Sequence, residues 1–208
     1  MSSDQLIRWS GYSLMAAGVC IAVGTFIHPS RETPQIILAE ETRLIVGHWF
    51  LTLYSAFLLL GLPGVYASRS RQMGRLGLAG FLLVFFGTLF YAVSSDYGFN
   101  APVLARLAPQ TLDAINAYPS VIAMDGLFVL LLFPGFILLG IAVRRSHTLP
   151  PWSGILIATG WSLFMICAPL ALLVYEPAWI LAVFGTVLLG FGLGWVGYAL
   201  ISHPSVTA

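Results

Sequence analysis

Long continuous apolar runs occupy most of this chain, and six of them are each about 20 residues long. A bilayer hydrocarbon core about 30 Å thick is crossed by about 20 helical residues. The runs lack the alternating polarity of a membrane barrel, so they favour helices. The pattern predicts an all-α integral membrane bundle in one domain, residues 1–208. The predicted spans are about 9–27, 44–66, 76–95, 121–143, 152–174 and 178–201.

Composition agrees with this prediction and narrows the function classes. Hydrophobic residues make up 59% of the 208 residues and charged residues only 8%, whereas soluble proteins carry about 25% charged residues. The chain has nine basic residues, all of them arginine, and eight acidic residues. Because the only basic clusters lie in the loops, the sequence gives no reason to expect a nucleic-acid partner.

The distribution of arginine predicts the orientation of the spans. Six arginines fall at the amino end and in the loops after spans two and four: Arg8, Arg69, Arg71, Arg75, Arg144 and Arg145. The loops on the other side mix arginine with acidic residues. The positive-inside rule therefore predicts that both termini are cytoplasmic. A bacterial inner membrane is the expected location.

Two loops on the predicted outer side are longer than the others. Residues 29–43 and 99–118 interleave apolar and charged positions, a pattern typical of short interfacial helices lying on the membrane surface. An ordered cap over the bundle is compatible with the same pattern. Membrane lipid is therefore an expected partner.

The last span is rich in small residues. Gly190 and Gly194 are four residues apart and lie on one helix face, which allows another helix to approach closely. We expect this face to pack inside the bundle. A homo-oligomeric or hetero-oligomeric contact through it stays open.

Three short motifs carry a family resemblance. They are Leu-Gly-Leu-Pro-Gly-Val-Tyr at 60–66, Gly-Arg-Leu-Gly-Leu-Ala-Gly-Phe at 74–81 and Leu-Pro-Pro-Trp-Ser-Gly at 149–154. The chain from span two onward resembles uncharacterised bacterial multi-span membrane proteins, in which a similar glycine-rich hairpin and a similar entry to the fifth span recur. The resemblance implies a six-span fold and implies no activity.

Ionisable residues inside or at the edge of a span are costly and therefore informative. Five fall at similar depth in the predicted outer half: His28, His48, Asp96, Asp125 and Glu176. Asp125 is expected to be the most buried of them and to approach His48. Interfacial anchoring, or pairing that fixes helix order, is the structural alternative for each one.

Polar side chains at helical spacing indicate which helix faces point towards this cluster. His48, Thr52 and Ser55 are spaced by four and three, and Thr88, Tyr91 and Ser95 form a similar stripe on span three. The sequence predicts that the stripes share an outward-facing pocket. Its expected ligand-binding residues are His48, Thr52, Tyr54, Ser55, Tyr91 and Asp125.

Three functions fit these residues. The first is a membrane-embedded binder or transport-associated protein for a lipid-like or amphipathic small molecule. The second is a lipid-phase enzyme with Asp125 or Asp96 as general acid on an isoprenoid or fatty substrate. The third is a redox or metal protein in which His28 and His48 ligate haem iron or, with Asp96 or Asp125, a divalent metal. No catalytic motif decides among them, so the cofactor and enzymatic character stay open.

Overall fold

The computed structural model describes residues 2–203, apart from the side chains of Asp113, Asn116 and Leu173. These residues form helices and no strand. The eight helices are α1 (Ser3–Ile27), α2 (Pro34–Ala39), α3 (Glu41–Ser94), α4 (Tyr97–Leu107), α5 (Gln110–Asn116), α6 (Pro119–Arg145), α7 (Pro151–Leu173) and α8 (Ala178–Ser202).

Local sequence signals set several of the helix starts. Ser2 and Gln5 form a capping box at the start of α1, and the Thr33 side chain accepts the Ile36 amide at the start of α2. Helices α6 and α7 begin at Pro119 and Pro151, because proline fits the first helical turn, where no amide donor is needed.

Helix α3 is two rods joined by a break. A continuous helix of its 54 residues would be about 80 Å long. The path departs from helical geometry at Arg69 and at Gly74, where φ is +58° and glycine is favoured because it lacks a Cβ. The first half (41–68) and second half (75–94) fold back on each other, with Tyr66 stacked on Phe81 at 5.3 Å between ring centroids.

The long helices close into a ring. Its order is the first half of α3, α1, α8, α7, α6 and the second half of α3. Tyr54, Phe136 and Trp161 fill the centre and are fully buried, with Phe136 and Trp161 only 4.8 Å apart between ring centroids. The core of the protein therefore lies along the axis of this ring.

The three short helices α2, α4 and α5 lie at one end of the ring, which we call the cap end. They bury a separate apolar cluster formed by Ile37, Leu44, Ala101, Ala105 and Leu112. An ion pair between Arg106 and Glu41 ties α4 to the start of α3. The two longer loops therefore contain short helices, as the sequence predicts.

The opposite end carries the α3 break and the α6–α7 connection, and we call it the arginine end. Arg69 is buried there, and its Nη2 donates to the carbonyl oxygen of His203 at 2.9 Å. Its Nη1 donates to the carbonyl oxygen of Ser68 at 3.0 Å. The bond to His203 fastens the end of α8 to the break in α3.

Five helical stretches among the described residues are long and apolar enough to cross a membrane. One of them, Glu41–Leu107, contains all of α3 and α4. Large apolar side chains point away from the ring on several helices, for example Leu130, Ile180 and Phe191, each about 70% exposed. The architecture is thus an all-helical bundle compatible with a multi-pass membrane protein.

The predicted packing role of Gly194 is wrong. A Cβ added to Gly194 would meet no atom within 4 Å, whereas one added to Gly190 would lie less than 3.0 Å from the carbonyl oxygen of Gly18 on α1. Gly197 makes the equivalent contact with Gly11. On each helix the two contacting glycines are therefore seven residues apart: Gly11 and Gly18 on α1, and Gly190 and Gly197 on α8. This spacing places both glycines of each helix on the face where α1 and α8 cross.

These contacts predict opposite outcomes for two matched variants. Gly190→Leu should destabilise the bundle by about 1–3 kcal/mol or more, because a side chain there forces α1 and α8 apart. Gly194→Leu should leave stability nearly unchanged. Thermal unfolding of both variants in the same detergent measures the difference, and equal melting temperatures would contradict the assigned α1–α8 contact.

Candidate functional site

A cavity of about 890 Å³ lies inside the ring near the cap end. Its lining comes from α1, both halves of α3, α4, α6, α7 and α8, so it lies on the axis of the bundle. Its wall combines polar and charged groups with apolar side chains. The site therefore depends on the whole ring rather than on one hairpin.

Two buried histidines form the polar end of the cavity. His28 lies at the carboxyl end of α1 and His48 lies two turns into α3, and both are less than 9% exposed. Their Nε2 atoms are 3.1 Å apart. Nδ1 of His28 lies 2.7 Å from the carbonyl oxygen of Pro29, and Nδ1 of His48 lies 2.9 Å from that of Ser95.

Glu32 completes this group from the loop between α1 and α2. Its Oε1 is 3.4 Å from Nε2 of His28. One donor atom from each of His28, Glu32 and His48 lies within 4.8 Å of the others. Sequence reasoning missed Glu32, because it lies in the loop after α1, where helical spacing does not apply.

A second charged group borders the polar end. Arg31 is 3.6 Å from Oε2 of Glu176, and the other carboxylate oxygen, Oε1, accepts the Ser30 hydroxyl at 2.9 Å. The loop after α1 is thereby tied to the turn before α8. Glu176, which the sequence places at the same depth as the histidines, does lie at this end of the molecule.

Asp125 lines the same cavity from α6 but belongs to a different hydrogen-bonded pair. It accepts the Ser94 hydroxyl at 2.5 Å, and it is half-buried. The prediction that Asp125 is the most buried ionisable residue is therefore wrong, because His28 and His48 are more buried. His48 and Asp125 share the cavity, while their hydrogen bonds run to Ser95 and Ser94 respectively.

Several predicted pocket residues lie elsewhere. Thr52, Tyr54 and Ser55 do not line the cavity; Tyr54 is fully buried in the core, and Ser55 donates to the carbonyl oxygen of Leu51 within its own helix. Tyr91 does line the cavity. Asp96 is exposed at the start of α4 and lies outside the cavity, so its predicted burial as a general acid is wrong.

The remaining wall is mostly apolar. Leu51, Phe128, Phe164 and Leu172 line it, together with Pro169 inside α7. Thr25 is also in the lining, and its buried hydroxyl has no hydrogen-bond partner among the described residues. A buried hydroxyl without a partner is an available contact for a ligand or a water molecule.

The histidine pair does not fit a haem held by two axial imidazoles. Axial nitrogens on opposite sides of a metal are separated by about twice a bond of about 2.0 Å, or roughly 4 Å. The Nε2 atoms of His28 and His48 are only 3.1 Å apart. The same closeness suits two donors that bind adjacent positions of one cation.

Comparison with known proteins found no family model that matches the chain, no similar protein among curated sequences and no similar fold among solved structures.

Gly98 determines where His48 can lie. A Cβ added to Gly98 would overlap the His48 ring atoms, so we expect Gly98→Ala to displace the ring and destabilise the protein by about 1–3 kcal/mol. Gly126→Ala is the matched control, since nothing lies within 4 Å of an added Cβ there. It should be neutral or slightly stabilising. Thermal unfolding checks both, and equal stability of the two variants would contradict the contact.

Proposed function

We propose that this protein is a membrane-embedded binder or transport-associated protein for an amphipathic small molecule, which it holds in the cavity near the cap end. The observation that carries the proposal is the mixed lining of the cavity. His28, His48 and Glu32 converge at one place, and Leu51, Phe128 and other apolar side chains line much of the rest. An apolar pocket with a few convergent polar groups is the usual form of a small-molecule site.

The size of the cavity supports a ligand larger than a few waters. Its volume of about 890 Å³ lies within the range of about 300–1,000 Å³ typical of small-molecule sites. The unpartnered hydroxyl of Thr25 and the carboxylate of Asp125 offer further polar contacts along the wall. A molecule with one polar end and an aliphatic or aromatic body would match this lining.

The proposed setting is a bacterial inner membrane, crossed six times. The break at Arg69 and Gly74 supports counting the two halves of α3 as separate spans, since each half is long enough to cross a bilayer core of about 30 Å. The exposed apolar side chains around the ring support a lipid surround. In this arrangement the cap end is outside, its short helices lie at the interface, and both termini are cytoplasmic.

This orientation predicts a labelling pattern in intact cells. A cysteine at Gln110, which is exposed on α5, should react with an impermeant thiol reagent. A cysteine at Thr148, which is exposed in the α6–α7 loop, should react only after the cells are opened. The native Cys20 and Cys167 are buried and give a low background. Labelling in the reverse order would invert the topology.

Binding in the cavity predicts that filling it blocks the ligand. Ala168 lines the cavity on α7, so Ala168→Phe should weaken binding of an amphipathic probe by about tenfold or more, because the ring occupies the space of the probe's body. Ala123→Phe on the exposed face of α6 is the matched control. Fluorescent probes of equal chain length, one a carboxylate and one an amine, would be titrated into protein in nanodiscs.

Two results would count against the proposed binding. One is that neither probe binds more tightly than to empty nanodiscs. The other is that Ala168→Phe and the unmodified protein bind the probes equally well. Preference between the carboxylate and the amine reports the charge at the polar end of the cavity.

A lipid-phase enzyme is the second candidate, and the position of Asp125 favours it. Asp125 faces the cavity beside Tyr91 and Phe128, whereas Asp96 lies outside it. An acid beside aromatic rings suits proton-initiated chemistry on an isoprenoid, since ring faces stabilise positive charge. Asp125→Asn should then abolish turnover of isoprenoid substrates while leaving probe binding intact. An absence of product from the unmodified protein would reject this candidate.

A further inference from the structure

The hydrogen bonds of His28 and His48 determine where their ring protons lie. The Nδ1 atom of each ring lies within hydrogen-bond distance of a backbone carbonyl oxygen. A carbonyl oxygen only accepts, so each Nδ1 must carry a hydrogen. A neutral imidazole has one hydrogen on nitrogen, so both Nε2 atoms then present lone pairs.

These lone pairs point into the same small region. The Nε2 atoms are 3.1 Å apart, and in the neutral rings neither has a hydrogen to donate. Two lone pairs at this distance repel each other unless a positive species lies between them. A shared proton and a metal cation are the two species that meet this requirement.

The position of Glu32 favours a metal cation over a proton. A shared proton bonds to two nitrogens in line. Here a carboxylate oxygen, 3.4 Å from Nε2 of His28, offers a third electron pair to the same region. For metal–ligand bonds of about 2.0–2.1 Å in tetrahedral geometry, neighbouring donors are about 3.3–3.4 Å apart. The two separations of 3.1 and 3.4 Å are close to this value.

The surroundings of the three donors have the features of a metal site. Each histidine donates its other ring N–H to a carbonyl, which is the usual outer support of a metal-binding histidine. Glu32 has no arginine ion-pair partner in the described part of the chain, since Arg31 is paired with Glu176. The carboxylate charge therefore remains available to a cation.

We infer that His28, His48 and Glu32 bind one divalent first-row transition-metal ion of the Zn²⁺ type. Two imidazoles and one carboxylate are a ligand set that such ions favour. Three protein ligands leave a fourth position for water or for a polar group of a bound molecule. All three residues line the cavity, so that position is reached from it. Metal binding at this site does not depend on the proposed amphipathic ligand.

The test uses the full-length protein, purified without a histidine tag, stripped with a chelator and delipidated in detergent. Zn²⁺ is titrated against a chromophoric chelator, and Co²⁺ is added separately to record its visible spectrum. We expect about one Zn²⁺ per chain, a Co²⁺ spectrum of low coordination number, and a higher melting temperature with metal. X-ray absorption at the zinc edge should report nitrogen and oxygen neighbours at about 2.0–2.1 Å.

Variants separate this site from adventitious binding. Glu32→Gln keeps the side-chain shape and should weaken Zn²⁺ binding by more than the roughly 10- to 100-fold typical of losing an outer partner. His28→Asn/His48→Asn should abolish stoichiometric binding. The matched controls are Glu40→Gln and His147→Asn/His203→Asn, which remove the same groups outside the cluster and should bind Zn²⁺ as the unmodified protein does.

Gly98→Ala provides a variant that keeps all three ligands. Because its methyl group would occupy the place of the His48 ring, it should weaken Zn²⁺ binding while Gly126→Ala does not. Ala168→Phe should leave Zn²⁺ binding unchanged, so failure of the amphipathic probes and failure of the metal are distinguishable.

Two outcomes would overturn the metal site. One is an absence of stoichiometric Zn²⁺ or Co²⁺ binding by monodisperse, folded protein, in which case His28 and His48 share a proton. The other is binding that the control variants lose and Glu32→Gln retains.

Discussion

Close approach of helix backbones at glycine is the constraint on which this bundle depends. Five of the six contacts between neighbouring rods of the ring include a glycine whose added Cβ would lie within 3.4 Å of the facing helix; the contact between the two halves of α3 does not. The pairs are Gly24 with Gly47, Gly18 with Gly190, Gly160 with Gly185, Gly140 with Gly154, and Gly80 with the backbone at Leu139. In the proposed membrane setting, where helices in lipid gain little from the hydrophobic effect, such contacts would supply much of the packing energy.

The candidate site is a consequence of one of these contacts. His28 follows Gly24 by one helical turn, and His48 follows Gly47 directly. A Cβ added to Gly47 would lie 3.3 Å from the Cα of His28, so the backbones of α1 and α3 approach each other closely where both imidazoles leave them. The 3.1 Å separation of the Nε2 atoms is therefore determined by the packing of glycine as much as by the histidines themselves.

Hydropathy and charge were sufficient to predict most helix ends but not the helix faces. The predicted span 178–201 and helix α8 (Ala178–Ser202) nearly coincide, because the length of an apolar run can be read directly from the sequence. Whether Gly194 or Gly190 contacts a neighbour depends on helix rotation, which a uniformly apolar helix does not encode. The prediction that Thr52 and Ser55 line the pocket failed for a related reason. A polar side chain need not face a cavity, since the Ser55 hydroxyl is satisfied within its own helix. Equal depth did identify His28 and His48, whereas Glu32 lies in a loop whose path no periodicity predicts.

The ring order has a consequence for the assembly of the proposed membrane protein. Helix α1 packs against α3 and also against α8, the first helix of the described chain against the last. Helices leave the ribosome in chain order, so the face of α1 that carries Gly11 and Gly18 stays without its partner until α8 has been inserted. The closing step is then the docking of α8, after which Arg69 can bond to the carbonyl of His203. Release of the nascent chain before that point would leave an open ring, with its axial cavity accessible to lipid from the side.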